Sequence, residues 1–212
     1  MTTPEPSEPQ PSEASEPAPQ DRVHRSSAAI VGGVLLLAIA GWLGIDAMIY
    51  GEGRTPWLAL ATLLLVVPLV VAFTLRPAVQ VNDDRLRVRN PFRVVVLPWG
   101  QVGSLRSGYS NEVVDRTGAK YQLWAIPVSL RARKRAARRE MRAAAEAARG
   151  AGASQAPVRA ETDRIMDELR ERQEARAEAP SAQGEVTVRW AYEVLAPAVA
   201  GGVLLAVLVG LG

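Results

Sequence analysis

The chain of 212 residues contains no cysteine, one histidine and only two lysines. Without cysteine there are no disulfides, thiolate nucleophiles or zinc–thiolate sites. A single histidine, His24, excludes a histidine-based catalytic triad and a metal site built from several histidines. Glycine-rich phosphate loops, metal-ligand clusters and nucleophile motifs are also missing. The sequence therefore predicts a protein that is not an enzyme and that uses no cofactor or metal.

Arginine makes up nearly all of the positive charge, with 23 arginines in a chain of net charge +3. The guanidinium group binds phosphate and carboxylate through two parallel hydrogen bonds, so the bias is typical of a protein with anionic partners. The alternative is the codon bias of a GC-rich genome, which the equally heavy use of alanine favours.

Three apolar blocks cover residues 27–50, 57–75 and 192–212. A helix rises 1.5 Å per residue, so each block is long enough to cross a hydrocarbon core of about 30 Å. Arginines precede the first block and follow the second, which places the N-terminus and the central region on the cytoplasmic side. The sequence predicts a multi-pass protein of the cell (plasma) membrane. Whether the third block crosses the membrane fully stays open.

Two polar segments flank these blocks. Residues 1–26 are rich in Pro, Glu and Ser and have too few apolar side chains to offset the entropy of ordering, so we expect a disordered tail. Residues 130–185 read as a linker of charged helices. Its second helix has a single apolar stripe formed by Ile165, Met166 and Leu169, which is too narrow for a sustained coiled coil.

The first charged helix has eight basic side chains against two glutamates within residues 130–149. Three interpretations stay open: a solvated helix, a helix that docks on anionic lipid or protein, and a nucleic-acid-binding helix. Nucleic acid is disfavoured because no aromatic side chains interleave with the basic ones. The candidate contact residues of this helix are Arg131, Arg133, Lys134 and Arg135.

Between these regions, residues 76–129 form the candidate globular module. Leu86 and Val88 alternate with arginines, which predicts a strand with an aliphatic face and a basic face. Turn signals at residues 82–84, 90–93 and 115–118 separate this strand from others, giving an antiparallel sheet of about five strands. Such a small core needs cover from a helix or from the membrane. The candidate contact residues for an anionic lipid or protein are Arg85, Arg87, Arg89 and Arg93.

The run RPAVQVNDDRLRVRNPFRVVVLPWGQV resembles the bacterial PH-like domains of actinobacterial membrane proteins, of the low-molecular-weight protein antigen 6 type. The resemblance covers residues 76–129 and the preceding pair of spans. It implies a partial PH-like β-barrel on the cytoplasmic side of a membrane, without an established activity. The predicted fold class is membrane α + β: two N-terminal transmembrane helices, the PH-like sheet, charged helices and a C-terminal transmembrane helix.

Two functions remain open. The first is a non-enzymatic adaptor or scaffold whose module binds anionic lipids of the bilayer or an unidentified protein partner. The second is a regulatory or assembly subunit of a membrane transport or envelope complex. The absence of an evident polar pathway in the spans counts against this second function. Self-association as a homo-oligomer is compatible with either function. Fold alone does not choose between them.

Overall fold

The computed structural model describes residues 21–126 and 161–211, together with positions 138 and 141. The predictions made for residues 1–20 and for most of the first charged helix lie outside this part of the chain. Four helices are described, and a π-helical turn, Val71–Leu75, continues the second one. They are α1 (Ser27–Tyr50), α2 (Thr55–Val70), α3 (Glu161–Arg176) and α4 (Tyr192–Gly210).

Three of the helices are long and apolar enough to cross a membrane, and they coincide with the predicted blocks: Ser27–Tyr50, Thr55–Leu75 and Tyr192–Gly210. Most of their large side chains face outward, as expected of helices that lipid surrounds. The fold class predicted from the sequence, a membrane α + β protein with a PH-like module, is confirmed.

Glycines set the close approach of these three helices. A Cβ atom on Gly201 of α4 would lie 2.4 Å from the backbone nitrogen of Leu65 in α2. A Cβ atom on Gly33 of α1 would lie 2.1 Å from Oγ1 of Thr74. Small residues let helix backbones meet where no hydrophobic driving force exists between helices. Helix α2 therefore lies between α1 and α4.

Eight strands are described in two antiparallel sheets. The larger sheet has the order β1-β2-β3-β4-β8 and the smaller one β5-β6-β7. Short 3₁₀ turns lie at Trp99–Gln101 and Pro180–Ala182. The strands are β1 (Arg22–His24), β2 (Ala78–Val81), β3 (Arg85–Arg89), β4 (Arg93–Pro98), β5 (Val102–Ser107), β6 (Asn111–Asp115), β7 (Lys120–Gln122) and β8 (Thr187–Trp190).

The expectation of about five strands in one sheet is wrong, because β1, β5 and β8 were missed. Strands β1 and β8 are three and four residues long and sit in polar surroundings, so only pairing with β2 and β4 defines them. Strand β5 contains Gly103 and has an irregular register there, which hides the alternation of its side chains. Strand β1 also corrects the disordered tail predicted for residues 1–26, since residues 22–24 are ordered by pairing with β2.

The core lies between the two sheets and is closed by α3. Trp99 is fully buried, and its Nε1 donates to the backbone oxygen of Asn82 at 2.9 Å. Met166 and Leu169 of α3 are also fully buried in the same core. The apolar stripe of this predicted linker helix thus covers the sheets.

Three strands of the larger sheet lead directly into the three apolar helices. Strand β1 reaches α1 through residues 25–26, the second apolar helix reaches β2 through residues 76–77, and β8 reaches α4 through Ala191 alone. The strand register places all three connections at the same end of the sheet. We call this the attached end. The position of the sheet relative to the helices is therefore defined by very short connections.

Candidate functional site

One face of the larger sheet carries a row of arginines. On β3, Leu86 and Val88 are fully buried, whereas Arg85 and Arg87 are exposed and Arg89 is half-buried. The register continues the face across the sheet, with Val94 beside Arg89 and Arg189 beside Val94. We call Arg85, Arg87, Arg89 and Arg189 the arginine face. The alternation predicted for β3 is confirmed, and Arg189 is a member that the sequence did not reveal.

Arg93 does not share this face. It has the same side-chain direction along β4 as Val95 and Leu97, which are both fully buried. Its guanidinium carbon lies 5.9 Å from the centre of the Tyr121 ring, a cation–π arrangement between the two sheets. Arg93 had been grouped with the others by nearness along the chain, and the pleat of the strand separates it. The remaining candidates, Arg131, Arg133, Lys134 and Arg135, lie outside the described residues.

Positive charge accumulates at the attached end of the arginine face. Burial lowers the pKa of the Arg89 guanidinium, and the positive charges of Arg76, Arg87 and Arg25 lower it further. Nε of Arg89 is buried and has no hydrogen-bond acceptor among the described residues. An anion placed here would reduce the repulsion and supply the missing acceptor.

The negative charge of Glu193, which also acts on Arg89, is already paired. Nη1 of Arg76 lies 2.7 Å from Oε1 of Glu193, and Nε of Arg76 donates to the backbone oxygen of Asn90 at 3.4 Å. Arg76 is nearly buried, with 9% of its side chain exposed, whereas 63% of Glu193 is exposed. Glu193 thus neutralises mainly the positive charge of Arg76, and Arg25, Arg87 and Arg89 keep an excess of positive charge.

At the far end of the face, a groove of about 190 Å³ lies between β2, β3 and β4. Oε1 of Gln80 in this groove is buried and unpaired among the described residues. Asp21 closes one side and accepts a hydrogen bond from Nδ2 of Asn82 at 3.0 Å. The groove is lined by Asp21, Gln80, Asn82, Arg85, Arg87 and Val96. Its mixed charge makes it a weaker anion site than the attached end.

A second concave feature lies where the two sheets meet the apolar helices. Phe73, in the π-helical turn, contacts the ring of Phe92 edge-to-face at 5.2 Å and the ring of Trp124 at 5.5 Å between centroids. A recess of about 440 Å³ opens beside these rings; we call it the aromatic recess. It is lined by Phe73, Asn90, Pro91, Phe92, Arg93, Gln122, Trp124 and Trp190.

Sequence reasoning missed several residues of these two surfaces, including Arg25, Arg76 and Phe73. They share one signal, a position within three residues of the end of an apolar block. Polar and aromatic residues at such positions lie at the level of the lipid headgroups. The sequence assigned Arg25 and Arg76 only to the topology of the spans and Phe73 only to an apolar block, because nothing in it shows that the sheet returns to those same ends.

The comparison with known families concerns the middle of the chain. Residues 76–151 match the family model of the bacterial PH domain. This segment is a bacterial PH domain. No curated protein and no solved structure matches the chain. The folded PH unit extends beyond the matched residues, since β1, α3 and β8 complete its sheets and core. PH domains are generally non-catalytic.

Proposed function

We propose that the chain is a multi-pass protein of the cell membrane and that its PH domain is a non-enzymatic adaptor on the cytoplasmic side. The arginine face binds anionic phospholipid of the same membrane. One observation carries the proposal. Arg89 lies half-buried near the charges of Arg25, Arg76 and Arg87, at the end of the sheet where the three helices attach, and its Nε has no acceptor in the part of the chain that the structure describes.

The short connections hold this positive charge close to the headgroups. Each arginine near an anionic leaflet contributes about 1 kcal/mol, and the guanidinium fork suits phosphate. Arg85 is four residues farther along β3 than Arg89, which corresponds to about 13 Å of strand. Because the screening length at physiological salt is about 8 Å, Arg89 and Arg87 should dominate and Arg85 should contribute less.

The orientation rests on the charges that flank the helices. Arg22 and Arg25 precede α1, and Arg76 follows the second apolar helix. The short connection between α1 and α2, residues 51–54, has one glutamate and one arginine. This asymmetry supports a cytoplasmic N-terminus and PH domain.

Photo-crosslinking in cells tests the partner of the arginine face. A photoreactive residue replaces Val96, which faces outward beside Arg87 on the neighbouring strand. We expect adducts with phospholipid. A protein adduct in stoichiometric yield would instead identify a protein partner, or an envelope or transport complex, and would overturn the lipid proposal. The control replaces Tyr109, which is 99% exposed in the loop between β5 and β6, and should give no lipid adduct.

Reconstitution of the full chain provides the quantitative arm. The adduct yield should rise with the fraction of anionic lipid and fall with salt, because the attraction is electrostatic. Replacing Arg89 with Gln should reduce the yield more than replacing Arg85 with Gln does. Equal yields in neutral and anionic membranes would contradict the proposal.

A further inference from the structure

The aromatic recess lies on a different side of the sheet from the arginine face and has no part in the function proposed above. Phe73 belongs to the second apolar helix, and Trp190 stands two residues before α4. The recess therefore opens at the boundary between the apolar helices and the PH unit. From this geometry we infer that it binds one glycerophospholipid of the adjoining leaflet. The inference rests on the proposed insertion of the three helices and is independent of lipid binding at the arginine face.

The aromatic side chains make this surface continuous with the apolar helices. Phe73, Trp124 and Trp190 expose 41%, 43% and 54% of their surfaces although they cluster at one place. Aromatic rings are favoured at the headgroup level, where one edge contacts acyl chains and the other contacts polar groups. Because this ring cluster lies at the ends of two apolar helices, the lipid bilayer contacts the aromatic recess directly.

Two polar side chains complement a lipid headgroup, one through its positive charge and the other through a hydrogen-bond acceptor. Arg93 lines the recess and is half-buried, so its guanidinium can bind the lipid phosphate. Asn90 is only 4% exposed, and its Oδ1 has no hydrogen-bond donor among the described residues. Buried acceptors are almost always paired in proteins. A headgroup that carries an N–H or O–H group, as an ethanolamine or glycerol headgroup does, would provide that donor.

The size of the recess limits what part of the lipid it holds. A volume of about 440 Å³ lies within the range of small-ligand pockets and is too small for two acyl chains. The headgroup and the glycerol region would lie in the recess beside Arg93 and Trp124. The acyl chains would extend along the outer surface of the apolar helices, starting from Phe73.

Lipid retention by the purified full chain tests the inference. After extensive washing in a mild detergent, extracted phospholipid is quantified by mass spectrometry, and we expect about one phospholipid per chain. Gln122→Trp fills the recess from an exposed position of β7, and Arg93→Gln removes its charge; each should reduce retention about tenfold. The matched controls are Lys120→Trp on the same strand and Arg106→Gln on β5. Both residues are exposed and lie outside the recess, so retention should not change.

Several results would overturn the inference. Wild-type protein that retains no lipid, or a Gln122→Trp protein that retains all of it, would show that the recess is not the site. Equal loss with Arg106→Gln would indicate diffuse charge attraction. Thermal unfolding checks that each variant is folded.

Exchange with defined lipids tests the hydrogen-bond donor of the headgroup. A lipid with a choline headgroup, which has no N–H or O–H group, should be retained several-fold less well than one with an ethanolamine or glycerol headgroup. Equal retention of all three would refute the role of Asn90.

The outcome is separable from that of the arginine-face proposal. Failure of lipid retention leaves the Val96 crosslinking result unaffected, because the two surfaces have no lining residue in common. Conversely, loss of lipid adducts at Val96 leaves the retained lipid in place if the aromatic recess is its site.

Discussion

Arg76 and Glu193 form an ion pair of 2.7 Å that joins the end of the second apolar helix to the first turn of α4. The same arginine donates to the backbone of Asn90, at the tip of the β3–β4 hairpin. One nearly buried side chain therefore links two apolar helices to the sheet. Together with the short connections from β1 and β8, it fastens the attached end of the sheet to the apolar helices.

Breaking this ion pair should destabilise the junction. In Glu193→Gln, Arg76 loses its charged partner while remaining nearly buried. Because Glu193 itself is exposed and solvent screens the pair, we expect a small but measurable loss of stability. Thermal unfolding in detergent measures it. The control Glu185→Gln, an exposed residue between α3 and β8, should leave the transition unchanged. An equal shift in both variants would contradict a specific role of the pair.

The contact between α2 and α4 predicts that neighbouring glycines differ sharply. Gly201→Ala places a methyl group against the backbone of Leu64 and Leu65, so the helices must separate. Overpacking of this kind costs about 1–3 kcal/mol. Gly202→Ala is the matched control, since its added Cβ would meet only a side-chain carbon of Leu65 at 3.8 Å. Unfolding in detergent should rank Gly202→Ala as neutral or stabilising. Equal stability of the two variants would refute the helix contact.

Helix α3 should behave as part of the PH core. Met166→Ala removes a fully buried side chain and leaves a cavity, at an expected cost of about 2–5 kcal/mol. Denaturant unfolding followed by tryptophan fluorescence measures the change. Glu171→Ala, at an exposed position of the same helix, controls for helix propensity and should change stability only slightly. A neutral Met166→Ala would mean that α3 is a detached linker.

Acid stability should depend on Asp115. Burial raises the pKa of this carboxyl, but hydrogen bonds from Thr117, Ala119 and Tyr121 outweigh burial and hold the pKa below 3.8. The carboxylate therefore stabilises the fold fully above its unfolded pKa, and this contribution is lost as pH falls through the lower folded value. Asp115→Asn should be less stable than wild type at neutral pH and should lose stability less steeply below about pH 4.

Unfolding free energies measured as a function of pH test this. Asp83→Asn, in the exposed turn between β2 and β3, provides the control and should keep the acid dependence of the wild type. The same dependence in Asp115→Asn would assign the acid transition to other carboxyl groups.

Much of the fold was readable because its signals are local. The apolar blocks predict three helices by length alone, and the alternation of Leu86 and Val88 with arginines predicts β3. Strands β1 and β8 were not readable, because a strand of three or four residues is stabilised only by its partner. The stripe of Ile165, Met166 and Leu169 was seen, but the surface that it covers depends on two sheets that the chain forms elsewhere.

The candidate site shows the same division. Arg85, Arg87 and Arg89 were identified from their spacing, whereas the inward direction of Arg93 follows from its place after the hairpin turn. Arg189 joins the arginine face only because β8 returns to pair with β4. Arg25 and Arg76 join Arg89 because three chain connections meet at one end of the sheet.

The sequence by itself determined what each segment is: three helices apolar enough to cross a membrane, a bacterial PH domain after the second, and an arginine-rich strand. The helices and the strand follow from composition, length and periodicity, and the PH domain follows from the resemblance of its residues to a known family; all of these signals are local. Only the tertiary structure decided which distant residues meet, including the Arg76–Glu193 pair, the cover of the core by Met166 and Leu169, and the aromatic recess around Phe73. Those contacts arise from strand pairing and helix packing between segments far apart in the chain, 117 residues in the case of Arg76 and Glu193, which no local pattern encodes.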